Sequence, residues 1–152
     1  MSLIAIMFLY LGIGILAAIG TITITRLKFS PRTEQIFFSL ILIPIATIYL
    51  AFADFFGSQQ AWRFEIYAIG GFVLLGLLGT RIPAALMLGY FLHGAWDLVH
   101  EAMTYWNPIE AGSRPLSAIP LAYGVFCAAY DWFMAGYFFT RHAVWRSPKA
   151  SP

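Results

Sequence analysis

Apart from short breaks, residues 3–140 read as successive stretches of twenty or more mostly apolar residues. Each is long enough to cross a hydrocarbon core of ~30 Å. In lipid the backbone must satisfy its own hydrogen bonds, which leaves helices or a closed barrel. The runs are continuous rather than alternating, so helices are expected. With 61% hydrophobic and 11% charged residues among 152, the composition excludes an ordinary soluble domain and a nucleic-acid-binding surface. The expected fold is all-α: a single integral membrane domain, 1–152, of five transmembrane helices at about 3–25, 33–56, 61–80, 82–106 and 121–140, followed by a short basic tail over 141–152.

The breaks carry their own signals. Ser30-Pro31 amid Arg26, Lys28 and Arg32 marks a basic turn, Gly57-Ser-Gln-Gln60 a polar one, and Arg81 with Pro83 the start of the fourth helix. Asn107-Pro108 stops that helix, and Ile109–Ile119 is a loop long enough to form a lid or a wrapped surface segment. Pro44 is expected to kink the second helix. The first run lacks a basic leader and is too long for a secretory one, so it reads as a retained membrane helix.

Basic residues alternate with the turns. Arg26, Lys28, Arg32, Arg81, Arg141, Arg146 and Lys149 fall on one side, against Arg63 and Arg114 on the other. The positive-inside rule then puts the N-terminus outside and the C-terminus in the cytoplasm. Gly14-x-x-x-Ala18 and the Gly70-Gly71, Gly76 and Gly79 series read as small-residue packing surfaces, which also suit a homo-oligomer. Cys127 has no second cysteine to pair with, so neither a disulfide nor a thiolate metal site is expected.

Against this apolar background, the stretch from Gly89 to Glu101 places His93, Asp97, His100 and Glu101 inside one membrane-length segment. An ionisable group there marks a functional site by default. At ~100° per residue His93, Asp97 and His100 form one narrow stripe, with Asp97 about 6 Å along the axis from His93 and about 4.5 Å from His100. Depth brings others to the same level: Glu65 near His100, and Asp131 near His93 at the midplane. Asp54 and Glu101 read as surface groups, and His142 as interfacial.

Carboxylates and imidazoles in lipid must be paired or metal-bound. Asp97-x-x-His100 has the i, i+3 spacing of helical di-metal half-motifs, while His93-x-x-x-Asp97 is an i, i+4 chelate. Two arrangements are open. Two ions share Asp97, with Glu65 and Asp131 completing their shells, or one ion binds Asp97 and His100 while His93 transfers protons. The candidate ligands are therefore Asp97, His100, His93, Glu65 and Asp131, and the candidate acid/base groups Glu65, His93 and Asp131. Nitrogen and oxygen donors suit a divalent ion such as zinc, iron or manganese. The bland alternative is plain interhelical pairing, above all of Asp131 with His93. Trp96 and Trp132 either donate to site carboxylates or fill the core.

At His93-x-x-Trp96-Asp97-x-x-His100, with Trp62 and Glu65 upstream and Asp131 downstream, the chain resembles a family of small bacterial integral membrane proteins classed only as a domain of unknown function. Where that family often has a second histidine after the His100 position, this chain has Glu101. The resemblance implies a bacterial inner-membrane protein and carries no activity with it.

The leading functional expectation is a membrane-embedded, metal-dependent oxidoreductase or hydrolase acting on a lipid, isoprenoid or other apolar substrate in the outer half of the bundle. Three alternatives use the same residues. One is a metal-free acid/base isomerase or cyclase, another a tetrapyrrole-binding or accessory subunit of a membrane complex, and the last an ion relay.

Overall fold

The computed structural model describes residues 2–56, 59–105 and 116–146. They form five helices: α1 (Leu3–Lys28), α2 (Pro31–Phe55), α3 (Gln59–Gly79), α4 (Pro83–Tyr105) and α5 (Tyr123–Trp145). No strand occurs among the described residues. Serine starts the first two helices. Ser2 Oγ accepts from Ala5 N–H and Ser30 Oγ from Thr33 N–H, while Pro31 occupies the first turn, where its missing donor costs nothing. α2 runs unbroken through Pro44.

Three helix ends differ from the sequence expectation for the same reason. α1 continues through Arg26 to Lys28, and α5 through Arg141 and His142 to Trp145, so these basic residues are terminal helical turns rather than loop and tail. α2 begins at Pro31 and so takes in Arg32. Long basic side chains reach outward from a helix end, and the backbone beneath them keeps its hydrogen bonds. The remainder of the expected tail, and residues 109–115 of the expected lid, lie outside the described residues.

α5 packs against α4 and α1, α3 joins α2 to α4, and α1 scarcely touches α2. Phe38, Leu42, Leu86, Tyr90, Met134 and Phe138 form the apolar centre, with the Phe138 ring 5.1 Å from Phe38 and 4.9 Å from Tyr90. Glycines set the closest approaches. A Cβ on Gly14 would lie 2.4 Å from the Phe126 carbonyl oxygen, and one on Gly76 2.8 Å from that of Ser39. Gly14 and Ala18 thus seat α1 on α5, whereas a Cβ on Gly70 or Gly71 would meet nothing within 4 Å in this chain.

α1, α2 and α3 are each long and apolar enough to cross a membrane. Phe8 and Leu16 are 69% exposed and Tyr67 80%, surface that suits lipid and not water. This is a membrane protein. α4 and α5 are less apolar on average because they carry the buried polar residues described next.

Candidate functional site

α4 turns one face wholly inward: Leu86, Gly89, Tyr90, His93, Gly94, Asp97, His100 and Glu101 are all buried, at the three- and four-residue spacing of a single helix face. Two glycines let α5 close on it. A Cβ at Gly94 would meet Trp132 at 2.9 Å and the Asp131 Cβ at 3.2 Å, and one at Gly124 would lie 2.4 Å from the Asp97 carbonyl oxygen. These approaches bring Asp131 against His93.

The first cluster is His93, Asp97 and Asp131, at most 2% exposed each. His93 Nδ1 lies 2.6 Å from Asp131 Oδ2 in a hydrogen bond. It is also 3.2 Å from Asp97 Oδ2, a charge contact without hydrogen-bond alignment. Tyr49, from α2, donates its hydroxyl to Asp97 Oδ1. His93 Nε2 and Asp97 Oδ2 have no hydrogen-bond partner among the described residues. Two carboxylates face one imidazole: a protonated His93 balances one of them, and the other calls for a proton or a bound cation.

One ligand atom from each of His93, Asp97 and Asp131 lies within 4.8 Å of the other two, so a small inward turn of the side chains would bring all three to the ~2.0–2.2 Å bond lengths of a divalent ion. Among the described residues this is the group able to hold a metal.

The second cluster lies nearly two turns along α4 and contrasts with the first in its completeness. His100 Nδ1 donates to the Trp96 carbonyl at 2.9 Å, and Nε2 lies 2.8 Å from Glu65 Oε1. The same Oε1 accepts from Ser117 N–H at 3.1 Å and from its hydroxyl at 2.8 Å, and Trp96 Nε1–H reaches Glu65 Oε2 at 3.4 Å. Both ring nitrogens of His100 are thus engaged, and Glu65 is bonded on both of its oxygens.

The Asp97-x-x-His100 chelate anticipated from spacing is therefore not formed. His100 and Glu65, candidate ligands by sequence, are turned to each other. The i, i+4 pair His93 and Asp97 is formed, and Asp131 joins it.

Glu101 corrects another expectation. Far from lying on the surface, it is 2% exposed and caps α5, accepting from Ala122 N–H at 3.0 Å and Gly124 N–H at 2.9 Å. Ala122 precedes the helix at φ 59°, and the carboxylate does the work a serine cap does elsewhere. Asp54 is exposed, as expected, and Trp132 donates to the Phe91 carbonyl rather than to a carboxylate.

At the opposite end of the bundle Glu34 is 1% exposed and receives Arg141, Trp145 and Tyr137. Sequence reasoning passed over Glu34, Tyr49 and Ser117. Only Tyr49 carries a signal: a phenol in mid-helix needs a partner for its hydroxyl in lipid.

A cavity of about 280 Å³ lies between α1, α2 and α5. Ala17, Ile45, Ile48 and Phe126 are among its walls, and His93 and Asp131 reach its lining.

A helical membrane bundle with an incompletely partnered imidazole–carboxylate centre at its heart is the class of protein that this fold and site define. Within that class, the chain belongs to the family of unknown function DUF6010, whose profile matches residues 9–144. Neither the curated proteins nor the solved structures compared with it contain a match.

Proposed function

We propose that the protein is a membrane-embedded, metal-dependent enzyme for an apolar substrate, with His93, Asp97 and Asp131 as the metal ligands. The carrying observation is that His93 Nε2 and Asp97 Oδ2 are buried without a hydrogen-bond partner among the described residues, in a group of which His93 and Asp131 line an apolar cavity. An unmet buried carboxylate oxygen costs a protein stability that function must justify.

All five helices cross the membrane in this reading, with the N-terminus outside and the C-terminus cytoplasmic. Two observations support it. The polar residues that lower the hydropathy of α4 and α5 face inward, leaving Leu88, Phe91, Leu92, Val99, Phe133 and Phe139 exposed. Arg32 also donates to the Thr80 carbonyl at 2.6 Å and Arg141 to Glu34 at 2.7 Å, so the turns rich in basic residues share one end of the bundle.

Substrate enters sideways from the bilayer. α1 leans on α5 and leaves the gap toward α2 open, and through that gap an acyl or prenyl chain reaches His93 past Ile45 and Ile48. A bound divalent ion supplies Lewis acidity toward a substrate oxygen or acidifies a water. Tyr49 holds the Asp97 carboxylate by one oxygen so that the other faces His93, and the apolar walls exclude bulk water. Such chemistry serves hydrolysis; oxidation at the same ligands would take a redox-active ion such as iron or manganese and an electron acceptor as co-substrate.

Metal content of detergent-purified protein, by mass spectrometry, tests the reading. One equivalent in the wild type, lost in a His93→Ala/Asp97→Ala variant and kept in His100→Gln, is the expected outcome. Metal-free protein after non-chelating preparation and metal add-back would overturn it and favour acid/base chemistry at Asp97 and its Tyr49 partner.

A further inference from the structure

Two cavities on the outer side of the α4–α5 pair form one groove. The first, about 450 Å³, has Arg81, His142 and Arg146 around its mouth and Met87 and Phe139 in its walls. The second, about 380 Å³, shares Ala84 and Met87 with the first and continues along Leu88, Phe91 and Ala135. Polar at one end and apolar beyond, the groove follows α4 from Pro83 to Phe91, eight residues or about 12 Å. One leaflet of a ~30 Å hydrocarbon core is about 15 Å deep, so the groove spans most of one leaflet.

Its charge is unbalanced. No carboxylate lines either cavity, and the exposed Arg81 and Arg146 side chains form no ion pair among the described residues. Arg141, the neighbouring cation, is by contrast consumed by Glu34. His142 is held beside the mouth by its Nδ1 hydrogen bond to the Phe139 carbonyl at 2.9 Å, and the N-terminal end of α4 opens at the same place. At the inner end Trp132 stacks on Phe91 at 6.1 Å and donates to its carbonyl.

We propose that this groove is a binding site for one anionic phospholipid, its phosphate held by Arg81, Arg146 and His142 and an acyl chain laid along Met87, Leu88 and Phe91. Free phosphate would use the mouth alone. The continuous apolar floor, half a membrane deep, fits the chain of a lipid. The site is separate from the His93 cluster and does not depend on the reading of that cluster.

Tryptophan quenching by phospholipids with brominated acyl chains tests it on the full chain in vesicles, because Trp132 reports on the inner end of the groove. Brominated phosphatidylglycerol should quench at a lower mole fraction than brominated phosphatidylcholine, by roughly fivefold for each arginine engaged. The preference should vanish in Arg81→Gln/Arg146→Gln, persist in Arg63→Gln at the other end of the bundle, and weaken in Trp132→Phe, which removes the reporter. Equal quenching by the two lipids in the wild type, or a preference untouched by the double substitution, would overturn the proposal. So would binding of inorganic phosphate that is lost in the double substitution while the two brominated lipids quench alike, which would identify a site for the free anion.

Discussion

His93 and His100 lie on the same inward face of α4, both buried, each beside a carboxylate from another helix. Their surroundings differ in one respect that separates structure from function. Around His100 and Glu65 the donors and acceptors are matched, from Trp96 and Ser117 as well as from each other. Around His93 there is one carboxylate too many and one ring nitrogen without a partner. A satisfied network rigidifies a fold, whereas an unsatisfied one in lipid is kept for a ligand. Residue type and burial are nearly the same in both places, so hydrogen-bond accounting tells them apart.

The largest effect that tests this contrast is on metal affinity. Asp97→Ala removes a ligand atom and should lower affinity by more than about a thousandfold, since two donors rarely hold a divalent ion in a site built for three. His100→Gln should leave it within about threefold, because both ring nitrogens are engaged elsewhere. Competition titration with a metal-sensitive dye measures both. Equal losses would merge the two clusters into one site and end the distinction.

Next in size is stability. Glu65→Gln breaks the buried network that ties α3 to His100 and Ser117, at a cost of about 3 kcal/mol in equilibrium unfolding from mixed micelles. Combining it with His100→Gln should cost less than the two single substitutions summed, because both break the same network. Asp131→Asn, in the other cluster, should cost much less in the metal-free protein, since it relieves the excess of negative charge around His93. If Asp131→Asn proved as damaging as Glu65→Gln, the His93 group would be a structural pair like its neighbour.

Much of this contrast was legible before the fold. Continuous apolar runs between Ser-Pro, Gly-Ser and Asn-Pro breaks called for helices, and axial rise placed Glu65 at the level of His100 and Asp131 at the level of His93, the pairs that form. Rotation about each helix axis was not legible. Asp97 stands between the two histidines in projection, and its contacts with Tyr49 and His93, beside an Asp131 brought in by the approach of α5 at Gly94, are what assign it to the first cluster. Glu101 misled because a carboxylate near a helix end suggests solvent, and its true partners, the first N–H groups of α5, belong to a helix start more than twenty residues on. Glu34 drew no notice for a similar reason: Arg141, its partner, is over a hundred residues away.

The smallest effect belongs to Tyr49, which joins the two clusters. Its ring lies 4.1 Å from the His100 ring, while its hydroxyl donates to Asp97. Tyr49→Phe keeps the ring and deletes the donor, so it separates packing from orientation. If Tyr49 serves the His93 cluster by holding Asp97, metal affinity should fall about 10–100-fold, as it does when a ligand loses its supporting hydrogen bond. Thermal stability of the metal-free protein should move little, because the packing on His100 persists and one hydrogen bond is worth ~1 kcal/mol. The reverse result, unchanged affinity with a lowered melting temperature, would make Tyr49 part of the His100 lock. Asp97 would then be oriented by α4 and α5 alone, through its own rotamer and the close contact of its backbone with Gly124.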